Sequence, residues 1–132
     1  MAASSVPESH RDLLAARPAV TLATIGPDGF PQVTAMWFLV DGDDTVKASL
    51  NMARQKVRNL RRHPEATLFF TDPDNPYRTL EIRAMAEVVS DPDYAFADRV
   101  GAKYGVDLRE RDRPGELRVV VTFSPVKVNT YG

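Results

Sequence analysis

Residues 78–90, RTLEIRAMAEVVS, alternate apolar and polar side chains almost without interruption. Leu80, Ile82, Ala84, Ala86 and Val88 fall on one face, and Glu81, Arg83 and Glu87 fall on the other. A period of two sustained over that length describes a long strand with one face buried. Such a strand needs partners, and the chain supplies them. AVTLATIG (19–26), PQVTAMWFLV (31–40), TVKASL (45–50), ATLFFTD (66–72), LRVVVTFSP (117–125) and VKVNTYG (126–132) each read as strands. Helical signals are few: PESHRDLLAAR (7–17), stopped by Pro18; a segment at about 52–63; and one running from Asp91-Pro92 to about Tyr104. A doubly wound parallel sheet would require a helix after nearly every strand. The order therefore predicts a mainly β (α+β) fold, an antiparallel barrel with short flanking helices.

The connections fit that reading. Pro27-Asp28-Gly29 is a hairpin turn in which proline presets φ and glycine takes the conformation other residues resist. Asp41-Gly42-Asp43-Asp44 is a second turn, DPDNPY (72–77) a loop, and DLRERDRPGE (107–116) a charged surface segment. Within 31–40 the alternate sets are Val33/Ala35/Trp37/Leu39 and Gln32/Thr34/Met36/Phe38/Val40. Both sets turn apolar toward the C-terminal end, so that end should be covered on both faces.

The chain has 132 residues, the length of one domain (1–132), with residues 1–6 as a polar tail. No cysteine is present, which excludes disulfides, thiolate metal sites and cysteine nucleophiles. His10 and His63 form no metal-binding spacing, so no metal is expected. The first residues lack a signal-peptide pattern and no run is long enough to span a bilayer. The reading is of a soluble, cytoplasmic protein that engages neither membrane nor nucleic acid, the net charge being only −1.

That near-neutrality conceals a local asymmetry. Between Asp44 and Glu65 there is no acidic residue, while Lys47, Arg54, Lys56, Arg58, Arg61 and Arg62 are all basic. On a helix over 52–63, Ala53, Val57 and Leu60 share the face that should pack on the barrel. Arg54 and Lys56 then occupy the first turn, where cations oppose the helix dipole unless an anion compensates them. The first-turn N–H groups, the Arg54 fork and the Lys56 point charge make a phosphate cradle. Ser49 offers a hydroxyl, and Asn51 an amide or the N-cap. Arg61 and Arg62 stand at the C-terminal end, where cations are favourable with or without a ligand.

The runs TLATIGPDGFPQVTAMWFLVDGD and KASLNMARQKVRNLRRHPEATLFFTDPDNPYRTLEIRAMAEV carry a resemblance. Through the patterns ATxxxDGxPQV, KxRNLRRxP and DPxNPYRxLEIR, the chain resembles the pyridoxamine-phosphate-oxidase-like (PNPOx-like, FMN-binding) split β-barrel flavoproteins over about residues 10–130. Within them it is most similar to the branch that uses the deazaflavin coenzyme F420. The resemblance implies a homodimer with cofactor sites at the subunit interface and a small-molecule substrate. It maps the cofactor phosphate onto Ser49, Arg54, Lys56 and Asn59, the ring system onto Gln32, Val33 and Thr34, and a further contact onto Tyr77 and Arg78. Arg58 and Arg61 are candidates for the polyglutamate tail. The C-terminal Trp/Arg/His substrate set of true pyridoxamine-phosphate oxidases has no counterpart before Tyr131-Gly132.

The implied activity is transfer of a hydride from the reduced deazaflavin to an activated double bond of an organic acceptor. An FMN-dependent oxidoreductase and a non-catalytic F420 carrier are the alternatives. The residues point to no dedicated catalytic acid. Tyr131 is either a proton donor or a barrel-edge aromatic. Trp37 is either a core or interface residue or stacks on the ring, and Met36 and Phe38 either pack at the dimer interface or neighbour the ring.

Overall fold

In the computed structural model, which describes residues 5–15 and 19–132, the barrel follows from one connection. Seven antiparallel strands form a single sheet: β1 (Val20–Ile25), β2 (Pro31–Met36), β3 (Leu39–Val40), β4 (Val46–Asn51), β5 (Glu65–Asp72), β6 (Asn75–Ser90) and β7 (Arg118–Tyr131). Their order is β2-β1-β5-β6-β7-β4-β3. The two outermost strands, β2 and β3, are separated in sequence only by Trp37 and Phe38. Two residues span little distance, so the sheet must curl until its edges nearly meet. The antiparallel barrel expected from the strand spacing is thus the observed fold, in the form of a curled seven-stranded half-barrel.

That connection corrects the single strand read over 31–40. Residues 31–36 pair with β1, and 39–40 pair with β4 on the opposite edge. The backbone between them leaves both ladders and takes its hydrogen bonds elsewhere: Phe38 N–H donates to Tyr104 Oη (3.2 Å), and Lys103 Nζ donates to Phe38 O (2.7 Å). Both donors or acceptors come from helix α2 (Ala95–Tyr104). Coverage on two faces holds as expected. Met36 and Phe38 enter the barrel core with Leu22, Leu68, Ile82, Val121 and Phe123, while Trp37 and Leu39 pack outside against Phe96, Ala97 and Val100 of α2.

Three further expectations shift. The 72–77 loop shrinks to a turn at Pro73-Asp74, with Asp72 paired to Asn75, so Tyr77 joins Arg78 in β6. The two final strands are one. Pro125 does not end it, because the proline stands at a bulge where Arg83 opposes Lys127 and Ala84 opposes Pro125, and β4 pairs with β7 only as far as Phe123. A residue without an N–H costs no ladder bond there. The N-terminal helix is a 3-10 helix over Glu8–Ala15, and its expected last residues and Pro18 lie outside the described residues. It is tied down by Arg11–Asp44 (2.7 Å) and by Arg78, which bonds Asp12 and Asp72. His10 is buried, its ring against Ser9 Oγ and Tyr131 O.

The basic helix, α1, spans Gln55–Arg62, shorter than the 52–63 reading. Its start is delayed because Asn51 Oδ1 accepts from Ala53 N (2.9 Å) and Asn51 O from Arg54 N (3.0 Å), a turn that holds the chain extended until Arg54. Arg54 is the N-cap, with φ −65° and ψ 140°, and Asn51 is not. Val57 and Leu60 pack into the core as expected, but Ala53 is exposed in the turn. The third buried position is Asn59.

Candidate functional site

The C-terminal end of β4, the turn 51–54 and the start of α1 form one wall of a groove of about 490 Å³. Ser49, Arg54 and Lys56 line it, as do Ala35 and Trp37 from the other sheet edge. Sheet closure explains the meeting: the barrel brings the end of β2 beside the start of α1, and Lys56 Nζ donates to Ala35 O (3.3 Å). The residues brought together from the expected set are thus Ser49, Arg54 and Lys56.

Their electrostatics are those of an anion site. Lys56 is half-buried, and its ammonium titrates below the ordinary lysine range, first because burial penalises the charge and then because Arg54 stands beside it. Among the described residues neither Arg54 nor Lys56 has a carboxylate partner within ion-pair distance. Arg54 caps α1 with no side-chain hydrogen bond, so no side-chain oxygen occupies the first-turn N–H groups, although Val57 N–H is taken by Arg54 O (3.1 Å). Ser49 Oγ accepts from Arg118 Nη1 (3.3 Å), which leaves its hydroxyl hydrogen free to donate.

Asn59 is differently placed. Its Nδ2 donates to Thr24 Oγ1 (3.0 Å) and Gln32 Oε1 (2.9 Å), and its Oδ1 accepts from Gln55 (2.8 Å). Both amide hydrogens are therefore spent on joining α1 to β1 and β2. Gln32, Val33 and Thr34 lie on β2, which among the described residues pairs with β1 alone and so leaves its other edge open. Val33 is 62% exposed and Phe30, just before the strand, 72%. Thr34 Oγ1 is buried with no hydrogen-bond partner among the described residues.

Tyr77 and Arg78 are not brought to the groove within one chain. They sit where β6 meets the Tyr131 end of β7, whereas the groove is at the Arg118 end. The two ends are roughly 40 Å apart along the strand at about 3.3 Å per residue. Tyr77 is exposed, and the Arg78 guanidinium is taken up by Asp12, Asp72 and Ser9 O. Tyr131 stands at that same distant end. Arg58 folds back onto Ala53 O and Gln55 Oε1, and Arg61 rests against Met52 Sδ.

The second wall of the groove is the segment read as a charged surface stretch. Arg111, Arg113 and Arg118 line it, with Glu116. Arg111 lies 5.1 Å over the Trp37 ring, which stacks on Tyr104 (4.6 Å, 10°). The repeated Arg at 109, 111 and 113 was the available signal, but alternation with acids in the same run reads as self-neutralising. Among the described residues no cluster of His, Asp and Glu suited to a metal ion occurs, and no helix is long and apolar enough to cross a membrane.

Over residues 6–132 the sequence matches the family described as pyridoxamine 5'-phosphate oxidase. No curated protein matches it. The fold is similar to a solved structure named F420 reductase, with a TM-score of 0.83 and 38% identity, over 94% of this chain and 98% of that one. It is also similar to the conserved hypothetical protein Rv2991 from Mycobacterium tuberculosis (TM-score 0.77, 25% identity, 98% and 86% covered). HupZ of Group A Streptococcus, at 16% identity, shares the fold (TM-score 0.71, 96% and 94% covered).

Proposed function

The chain belongs to the pyridoxamine 5'-phosphate oxidase-like split-barrel family of oxidoreductases, and on that premise we propose that it is a coenzyme F420-dependent reductase acting as a homodimer. The observation that carries the reading is Lys56: an ammonium held half-buried beside Arg54, with no carboxylate among the described residues to neutralise either. Such an arrangement is unfavourable in the empty protein and favourable with an anion present.

The donor set fits a phosphodiester. Arg54 provides a planar fork, Lys56 a mobile point charge, and Ser49 a hydroxyl whose oxygen is already oriented by Arg118. Asn59 seats the helix that carries Lys56. The Gln32–Thr34 stretch lies on the open edge of β2, where alternate backbone N–H and C=O groups face away from β1 and suit the heteroatoms of a planar ring. When bound, the reduced deazaflavin supplies a hydride to an activated double bond of an organic acceptor. The protein's part is to orient the ring against the acceptor and to exclude water with Trp37, Met36 and Ala35. Tyr77 and Arg78, remote from the groove of their own chain, fit a dimer in which they serve the site of the other subunit.

FMN remains the competing cofactor, because the matched family is described by an oxidase of a phosphate ester rather than by a deazaflavin enzyme. Titration of the apoprotein with F420 and with FMN, followed by fluorescence quenching, separates the two. Tighter binding of F420 is expected, and saturable FMN binding without F420 binding would overturn the reading. Incubating bound reduced F420 with enone, quinone and tetrapyrrole acceptors then tests catalysis against simple carriage: oxidation of the deazaflavin by any acceptor class supports the reductase.

A further inference from the structure

The groove has a second cationic wall whose position depends on a buried carboxylate. Asp112 lies between Arg111 and Arg113, and its side chain is only 4% exposed. Arg118, itself 7% exposed, grips it with two hydrogen bonds, from Nε to Oδ2 (2.9 Å) and from Nη2 to Oδ1 (3.0 Å). Asn51 Nδ2 donates to Oδ1 (3.0 Å) and Tyr94 Oη to Oδ2 (2.6 Å). The same Asn51 shapes the turn before α1, and the same Arg118 reaches Ser49. One carboxylate therefore joins strand β4, strand β7, the residue capping α2 and the segment carrying Arg111 and Arg113.

A buried carboxylate near an anion site is a cost unless it serves something else. Arg118 is neutralised by it, so the charge left to the groove comes from Arg54 and Lys56 on one wall and Arg111 and Arg113 on the other, against Glu116. Among the described residues, Arg111 and Arg113 have no ion pair. We propose that Asp112 is a positioning residue that latches the 107–116 segment as the second wall, so that Arg111 and Arg113 take negatively charged groups lying beyond the phosphate held by Arg54 and Lys56. The site so built selects an extended polyanion, a phosphate ester carrying further anionic groups, over a compact monophosphate. This deepens the cofactor reading given above and rests on it for the identity of the phosphate, but not for the existence of the second wall.

Asp112→Asn gives the test its sign. If the carboxylate acted only through its charge, removing it would free Arg118 and tighten polyanion binding. A latch gives the opposite: affinity for inorganic tripolyphosphate, measured by calorimetry on the intact dimer, falls about 5-fold or more, the loss of a charge-assisted contact. The Arg111→Ala/Arg113→Ala double variant, changed only at two exposed positions, should lose about 10-fold or more for tripolyphosphate while inorganic phosphate changes less than about twofold. Tyr94→Phe, which removes one of the latch bonds and keeps the ring, supplies the same readout should Asp112→Asn not fold, with a drop of about 2- to 3-fold expected. Tighter or unchanged tripolyphosphate binding in Asp112→Asn, or equal effects of the double variant on phosphate and tripolyphosphate, overturns the proposal. F420 titrated in parallel keeps the two readings apart: loss of F420 binding in the wild type with the tripolyphosphate pattern intact would sink the cofactor assignment and leave the second wall standing.

Discussion

Lys56 and Arg62 are separated by less than two helical turns, yet the structure gives them opposite circumstances. Lys56 is half-buried in the groove against Ala35, and Arg62 is exposed at the far end of α1. Replacing Lys56 with alanine should weaken cofactor binding by about 10-fold or more, the loss of a charge-assisted phosphate contact. Arg62→Ala should change it less than about twofold. Equal losses in a quenching titration would remove the phosphate cradle from α1. Asp44 and Asp112 set the pH response at this scale. Hydrogen bonds from Arg11 hold Asp44 below the usual carboxylate range against its burial. For Asp112, burial raises the carboxyl, but the bonds from Tyr94, Arg118 and Asn51 together outweigh it, and the net direction is downward. A folded-state value below the unfolded one means stabilisation that is complete above about pH 5 and lost as pH falls below about 4. Urea midpoints should therefore drop between pH 5 and pH 3, and Asp112→Asn should flatten that slope while lowering the midpoint at pH 7.

Among the elements, helix α2 explains why the barrel edges stay together, and Gly101 shows how tightly it is built in. A Cβ at Gly101 would lie 2.4 Å from Val106 O, a backbone atom that cannot step aside. Helix propensity alone favours alanine by about 1 kcal/mol. The clash should reverse that sign, so Gly101→Ala is expected to lower the melting temperature by several degrees, measured by circular dichroism. An unchanged or higher value would mean that the α2–106 contact is loose. Element type was legible wherever one rule acted alone: the alternation of β6 appears as buried Leu80, Ile82 and Ala84 against exposed Arg83 and Glu87. It failed where a partner overrode a local rule. Nothing local separates residues 36 and 39, which are apolar on both faces; the break comes from each half having a different neighbour. Pro125 reads as a stop until the bulge and the short reach of β4 are known. For the site, Arg54 and Lys56 announced themselves by standing where a helix disfavours cations. Arg111 and Arg113 did not, because their relevance depends on where Asp112 anchors them.

The whole molecule presents apolar surface that a lone chain has no use for. Val33 lies on the open edge of β2, and Met85, Val126 and Phe69 are exposed on neighbouring strands, at 44%, 58% and 40%. An apolar recess of about 570 Å³ lies among them, lined by Ile25, Ala66, Met85 and Val126. An open edge beside exposed apolar side chains is the arrangement that self-association covers. Sedimentation should give a particle of twice the 14.7 kDa chain mass. Met85→Glu with Val126→Glu should dissociate it and weaken cofactor binding at the same time. A monomeric wild type would remove both the dimer and the role proposed for Tyr77 and Arg78. By itself the sequence determined the strand-rich class, the hairpin turn at Pro27-Asp28-Gly29, the buried face of β6 and the presence of a cationic helix start, because each depends on residues within a few positions of one another. Only the tertiary structure decided which cations share a groove, since sheet closure and the Asp112 contacts bring together segments some sixty residues apart. That is also why the helix singled out by its charge holds only half of the groove it predicts.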